Sequence, residues 1–218
     1  MSATSLPAQV VVIAKEPVPG RVKTRLTPPF TPVDAAALAK AALADTLTAV
    51  AATPVTRAVL ALDGAAGDWL PPGFQVIPQR GGGLDERLAA AFADAHATLP
   101  VPMVLIGMDT PQVVPDLLAD AARALVSGEA DAVFGPAADG GFWLLGLRRP
   151  DRSLVAGVPM SQPDTGRHQL DRLTSAGLRV AMVPELTDID TFREAELIAG
   201  AIPGSRFAAA FRLAMAVA

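Results

Sequence analysis

"QVVVIAKEPVPGRVKTRL", residues 9–26, opens on six residues of which five are apolar and closes on a loop dense in positive charge. The run "QVVVIA" (9–14) has the length and continuity of a strand buried on both faces. It is not followed by a tight reversal. Pro17, Pro19 and Gly20 set a stiff path, and Lys15, Arg21, Lys23 and Arg25 fall within eleven positions. The 218-residue chain has 18 Lys plus Arg, so an even spread would put about one there.

Working outward, the same kind of run recurs as "RAVLAL" (57–62), "FQVIP" (74–78), "MVLIGM" (103–108), "DAVFGP" (131–136), "FWLLGL" (142–147) and "LRVAMVP" (178–184). Between these strand candidates lie helical stretches at 33–52, 84–99, 114–128 and 163–177, most of them Ala-rich. Strands alternating with helices of this length define βαβ units and a mostly parallel sheet, hence an α/β fold. No low-complexity linker divides the chain, so residues 1–218 are expected to form a single domain. Residues 203–218 should form a C-terminal docking helix, because Phe207, Phe211 and Met215 recur every four residues in the tail. That apolar stripe would cover the body of the protein or a second subunit, which leaves a homodimer open.

Composition narrows the classes. No apolar stretch reaches 18 residues, so no membrane span is expected, and "MSATSLPAQ" lacks the pattern of a signal peptide, which points to the cytoplasm. The absence of cysteine removes disulfides, thiolate metal sites and a cysteine nucleophile. A net charge of −4 argues against a general nucleic-acid surface, so the basic loop is a local site.

In open parallel sheets, ligands bind beyond the carboxyl ends of strands, and the polar residues of interest lie there. The 14–26 loop matches neither the Walker A nor the GxGxxG spacing, yet its cations suit a polyphosphate through charge-assisted hydrogen bonds. Its ordinary alternative is a solvated basic turn. Asp109 in "IGMDTP" (106–111) closes a very apolar strand and suits a divalent cation shared with phosphates, or else caps a helix starting near Pro111. Asp139-Gly140-Gly141 reads as a hairpin turn or as a glycine-lined acceptor contact. In "TDIDTF" (187–192), one of Asp188 and Asp190 can cap the following helix and the other can complete a metal site. Gly81, Gly82 and Gly83 follow a strand and could wrap a base or sugar. His96 and His168 have no partner at metal-ligand spacing, and Ser161 lacks a nucleophile-elbow setting.

"AKEPVPGRVKTRL", "GMDTP", "GPAADGGFWLLGL" and "TDIDTF", in that order, resemble a bacterial glycosyltransferase-like family of the nucleotide-diphospho-sugar transferase superfamily, with the GT-A fold. The chain is also similar to phospholactate guanylyltransferases. The resemblance covers roughly residues 9 to 200. It implies a three-layer sandwich with a mostly parallel, mixed central sheet. It assigns the nucleotide's phosphates to Gly20, Arg21, Lys23 and Arg25, beside Lys15, and its base to Gln79 and Gly81 to Gly83. It gives the divalent metal, Mg²⁺ or Mn²⁺, to Asp109 and Asp190, with Asp188 the second choice for the latter, and the acceptor side to Asp139, Gly140 and Gly141. Sugar transferases of this fold carry an Asp-x-Asp pair where this chain has Asp109-Thr110-Pro111, which favours nucleotidyl transfer. The expected activity is therefore Mg-dependent transfer of an NMP group from a nucleoside triphosphate to a small phosphorylated acceptor, with Arg21, Lys23 and Asp109 catalytic. Glycosyl transfer from a nucleotide sugar is the alternative, and a non-catalytic nucleotide-binding protein the second.

Overall fold

The structure is a computed structural model and describes residues 5–216. Its seven strands are β1 (Leu6–Lys15), β2 (Val55–Asp63), β3 (Phe74–Pro78), β4 (Met103–Ile106), β5 (Ala132–Pro136), β6 (Phe142–Leu147) and β7 (Val180–Met182). They form one sheet in the order β3-β2-β1-β4-β6-β5-β7. Only β6 runs against its neighbours, pairing antiparallel with β4 and β5, while every other pairing is parallel. The helices are α1 (Pro32–Ala52), α2 (Leu84–Thr98), α3 (Pro115–Ser127), α4 (Thr165–Ser175), α5 (Phe192–Ala201) and α6 (Arg206–Met215).

The strands are apolar throughout because each side chain has a helix to meet. In β1, Val10 and Val12 face α1 and α3 with Leu60 and Leu62 of β2 and Val104 and Ile106 of β4. Val11 faces the other way, with Val59, Ala61, Met103 and Leu105, against Leu88 and Phe92 of α2 and Leu173 of α4. This period-2 division makes the three layers. Helix α1 begins at a capping box in which Thr31 and Asp34 satisfy one another's backbone N–H, with Pro32 at its first position. At 21 residues it is long and apolar enough to cross a bilayer, yet Leu38, Leu43 and Leu47 are buried inside the fold, as expected of a core helix.

A third apolar cluster joins parts of the chain that are distant in sequence. Leu26 and Phe30, just before α1, pack with Ile189 and with Phe207 and Phe211 of α6. The Phe30 and Phe211 rings meet edge to face at 5.6 Å. The stripe expected in the tail is thus two-thirds right: Phe207 and Phe211 are buried by their own chain, whereas Met215 is 44% exposed. Residues 217–218 of that expected helix lie outside the described residues. β4 is shorter than its apolar run, stopping at Ile106, so Gly107 to Pro111 form a loop.

Candidate functional site

All parallel strands end on the same side of the sheet, and there the loops enclose a cleft of about 870 Å³. Its lining divides by origin. The half built on β1 and β3 supplies Lys15, Arg21, Lys23, Thr24, Arg25, Gln79, Gly82 and Arg87. Asp109 (after β4) and Asp188 and Asp190 (before α5) line the middle. The far half, from β5 and β6, supplies Asp139, Phe142, Met160, Ser161 and Gln162.

The basic loop owes its shape to alternation. Val22 and Leu26 are buried and anchor it, which turns the intervening Lys23, Thr24 and Arg25 toward the cleft. Gly20 takes a φ of +77° and Lys23 one of +49°. A left-handed backbone costs a non-glycine residue about 1–2 kcal/mol, and such strain gathers where a side chain must be aimed. Lys23 is aimed at carboxylates. Its Nζ lies 2.9 Å from Asp109 Oδ2 and 3.2 Å from Asp190 Oδ1, with only 8% of the side chain exposed. Burial opposes its charge, but attraction to Asp109 and Asp190 outweighs this and raises its pKa above the ordinary lysine value. Arg25, largely exposed, reaches the other oxygen of Asp190 at 3.2 Å.

Two contacts bring the acids together. Ile189 is buried against Leu26, and its N–H donates to the Asp109 carbonyl at 3.1 Å. Fixing the middle residue of Asp-Ile-Asp presents Asp188 and Asp190 beside Asp109. Burial, with Asp109 and Asp139 close by, pushes the Asp188 carboxyl up to about 7. Neither Asp188 nor Asp190 caps α5. That place belongs to Thr191, in a capping box with Glu194, whose carboxylate also accepts the Asp190 N–H. Nor does Asp109 cap a helix, since α3 starts only at Pro115 behind Val114.

For a divalent cation, the decisive observation is Asp109 Oδ1, buried and without a hydrogen-bond partner while Oδ2 holds Lys23. A carboxylate oxygen in that condition, with Asp190 across Lys23, is a hard donor set that fits Mg²⁺ or Mn²⁺. Among the described residues no three acidic or histidine side chains converge as a closed metal cage. The pair therefore suits an ion that takes its remaining ligands from phosphates and water.

Two expectations need correction. Gln79 cannot read a base with its amide protons, because Nε2 donates to the carbonyls of Ala14 and Ala61, at 2.7 and 3.0 Å, and so ties the end of β3 to β2 and, beyond it, to β1. Its Oε1 accepts from Arg87. Gly140 does not make room for substrate. Its φ is +87°, and a Cβ there would lie 1.8 Å from the carbonyl oxygen of Pro163. The chain's own segment 161–166 approaches it, tied by the Gly166 N–H to the Gly140 carbonyl at 2.8 Å. Asp139 accepts the Gly141 N–H and shapes the turn while still lining the cleft.

Sequence reasoning missed Arg87 and the segment Met160–Thr165. Arg87 lies in the first turn of α2 and donates to Asp63 at the end of β2 at 2.7 Å, holding that carboxyl below its usual range. A basic residue four positions after Gly83, in a helix that starts at a strand end, was a usable signal. Ser161 was weighed only as a nucleophile; it has a φ of +58° and forms part of the cleft wall.

Strand order, the single antiparallel strand and carboxylates gathered at strand ends define the nucleotide-diphospho-sugar transferase fold. A protein from Desulfovibrio desulfuricans G20, provisionally described as a nucleotide-diphospho-sugar transferase, superposes with a TM-score of 0.87 at 26% identity, over 96% of each chain. Rv0371c from Mycobacterium tuberculosis H37Rv, solved as a manganese complex, matches with a TM-score of 0.54 and 22% identity over 89% of this chain and 98% of that one. CMP:2-keto-3-deoxy-manno-octonic acid synthetase, solved with CTP, gives 0.56 and 13% over 90% and 98%. No curated protein sequence matches the chain. By its sequence over residues 36–162, the chain belongs to the family DUF2064, described as "Uncharacterized protein conserved in bacteria".

Proposed function

We propose that the protein is a nucleotide-dependent transferase that moves an NMP group from a nucleoside triphosphate to a small acceptor and releases pyrophosphate. One observation carries the reading: Lys23, from the loop assigned to phosphates, shares its ammonium between Asp109 and Asp190, the residues assigned to the metal. Cations for phosphate and carboxylates for a divalent ion thus meet at one point of the cleft. Lys15, Arg21, Arg25 and Arg87 line the same cleft, and this number of cations suits a triphosphate better than the less charged diphosphate of a nucleotide sugar.

In this mechanism Arg21 and Arg25 hold the terminal phosphates and Lys23 spans the phosphate nearest Asp109. Held at Asp109 and Asp190, Mg²⁺ or Mn²⁺ would supply neutralisation of charge on the phosphates. The acceptor hydroxyl oxygen attacks the α-phosphorus and gives up its proton to water, the bond to the bridging oxygen breaks, and pyrophosphate leaves. Positioning and charge stabilisation by the chain suffice for such a step. Among the described residues, the far half of the cleft, with Asp139, Phe142, Met160, Ser161 and Gln162, contributes no Lys, Arg or His. A phosphate group there would face Asp139 and Asp188 without a counter-charge. The phosphorylated acceptor expected from sequence is therefore replaced by one that presents a hydroxyl.

A second reading, glycosyl transfer, draws on the likeness to the Desulfovibrio protein and on the same hydroxyl-binding half. The test is to incubate the protein and Mg²⁺ with each NTP and each common nucleotide sugar over a panel of sugars and alcohols. Pyrophosphate as the new product supports nucleotidyl transfer; a nucleoside diphosphate moves the reading to glycosyl transfer. If no nucleotide raises the melting temperature of the wild type, or if Arg21→Ala keeps the full rise, the phosphate-loop assignment is wrong.

A further inference from the structure

The pair Asp109 and Asp190 is already engaged, and its partner is the chain's own Lys23. Nζ lies at hydrogen-bonding distance from one oxygen of each, 2.9 and 3.2 Å, in a place where 92% of the lysine side chain is shielded from solvent, only 8% being exposed. A divalent ion chelated by both carboxylates needs oxygens at about 2.0–2.4 Å. Bound through Asp109 Oδ1 and through Asp190, whose Oδ1 holds Lys23 and whose Oδ2 meets Arg25, it would lie against an ammonium group held by the same two carboxylates. In a shielded site two like charges so placed exclude one another. Arg25 adds a further cation on Asp190, but from an exposed position with 76% of its side chain in solvent.

Lys23 has somewhere else to go. It projects from the loop that also presents Lys15, Arg21 and Arg25 to the cleft, on a flexible four-carbon stem. A phosphate in that half of the cleft offers the ammonium a partner of equal or greater charge. We propose that Lys23 is an internal competitor of the metal, and that nucleotide phosphate draws it off Asp109 and Asp190, so that nucleotide and divalent cation bind with positive coupling. This rests on the assignment of Asp109 and Asp190 as the metal pair. Coupling of this kind is reciprocal: metal tightens nucleotide by the factor by which nucleotide tightens metal.

The experiment measures Mn²⁺ binding by electron paramagnetic resonance, on wild type and Lys23→Met, with no nucleotide present and then with a non-hydrolysable α,β-methylene NTP. Met keeps the stem and removes the charge. Without nucleotide, Lys23→Met should bind Mn²⁺ about tenfold or more tightly than wild type, and the tightening that the analogue produces in wild type should shrink severalfold in the variant. Arg25→Met, which removes the exposed cation, should shift Mn²⁺ affinity far less. Lys23→Gln provides a second neutral side chain if Met disturbs the fold, which the melting curve in chelator reports. Equal Mn²⁺ affinity in wild type and both neutral variants overturns the competition and leaves the metal pair standing. If neither wild type nor variant binds Mn²⁺ at millimolar concentration, the assignment of the pair itself falls. Mn²⁺ weakened in the neutral variants also overturns the proposal, because Lys23 would then support the ion instead of excluding it.

Discussion

Gly140→Ala is expected to damage both stability and the cleft wall, by an amount that can be worked from two distances and an angle. Gly140 has a φ of +87°, which costs an alanine about 1–2 kcal/mol. Its Cβ would also lie 1.8 Å from the Pro163 carbonyl oxygen and 2.7 Å from the carbonyl carbon, both rigid backbone atoms. Relieving that overlap means moving the 161–166 segment, at about 1–3 kcal/mol for an overpacked site. Together these give about 2–5 kcal/mol. Gly157→Ala isolates the first contribution, because Gly157 has a φ of +79° and nothing within 4 Å of the built Cβ. For a chain of this size each kcal/mol lowers the melting temperature by about 2 °C. Differential scanning calorimetry should then find Gly157→Ala about 2–4 °C and Gly140→Ala about 4–10 °C below wild type. Equal shifts in the two variants would refute the claim that Gly140 is required for the close approach of Pro163. Because Ser161 and Gln162 line the cleft, Gly140→Ala should also raise the acceptor KM before it affects nucleotide binding.

Asp109→Asn should leave the fold intact and reduce transfer on the order of 10²–10³-fold, measured as pyrophosphate release at saturating nucleotide. In chelator, Asp188 makes the protein less stable as pH rises. Its folded carboxyl titrates near 7 against 3.8 for the ordinary group, so its contribution is complete below 3.8 and is lost as pH rises through about 7. Asp188→Asn should flatten the pH dependence of the melting temperature across that window. Asp131 has the opposite sign. A hydrogen bond from the Arg179 side chain, followed by one from the Arg179 backbone N–H, holds its carboxyl down at about 2. Its stabilisation is present above 3.8 and disappears as pH falls through about 2, so acid unfolding of Asp131→Asn should be less steep there.

The layered fold was legible because its cause is local: apolar runs of strand length, broken by Pro and Gly and separated by helical stretches, admit few arrangements. The strand candidates fall on strands, but two overran by two residues: the fourth because Gly107 and Met108 continue the apolar pattern without continuing the ladder, and the seventh at each end of β7. The lining of the cleft was legible where a strand end predicts a crevice: Lys15, Arg21, Lys23, Arg25, Asp109, Asp139 and Asp190 all line one cleft. What the sequence could not convey was how each side chain is occupied. That Gln79 is consumed by two strand carbonyls depends on the strand order, which sets β2 beside β3 and β1 next beyond it. That Gly140 yields to Pro163 depends on a contact between residues 23 positions apart. The Lys23 pairings span 86 and 167 positions, and neither follows from spacing.

The cluster that joins Leu26 and Phe30 to Ile189, Phe207 and Phe211 has a consequence for how the protein comes into being. The loop after the first strand is synthesised early, yet its floor is laid by the last helix. Without α6, Leu26 and Phe30 would lose the Phe207 and Phe211 rings packed against them, while the Ile189–Asp109 backbone hydrogen bond would remain. The loop that carries Lys23 therefore reaches its full packing only after Phe207 and Phe211 have been made.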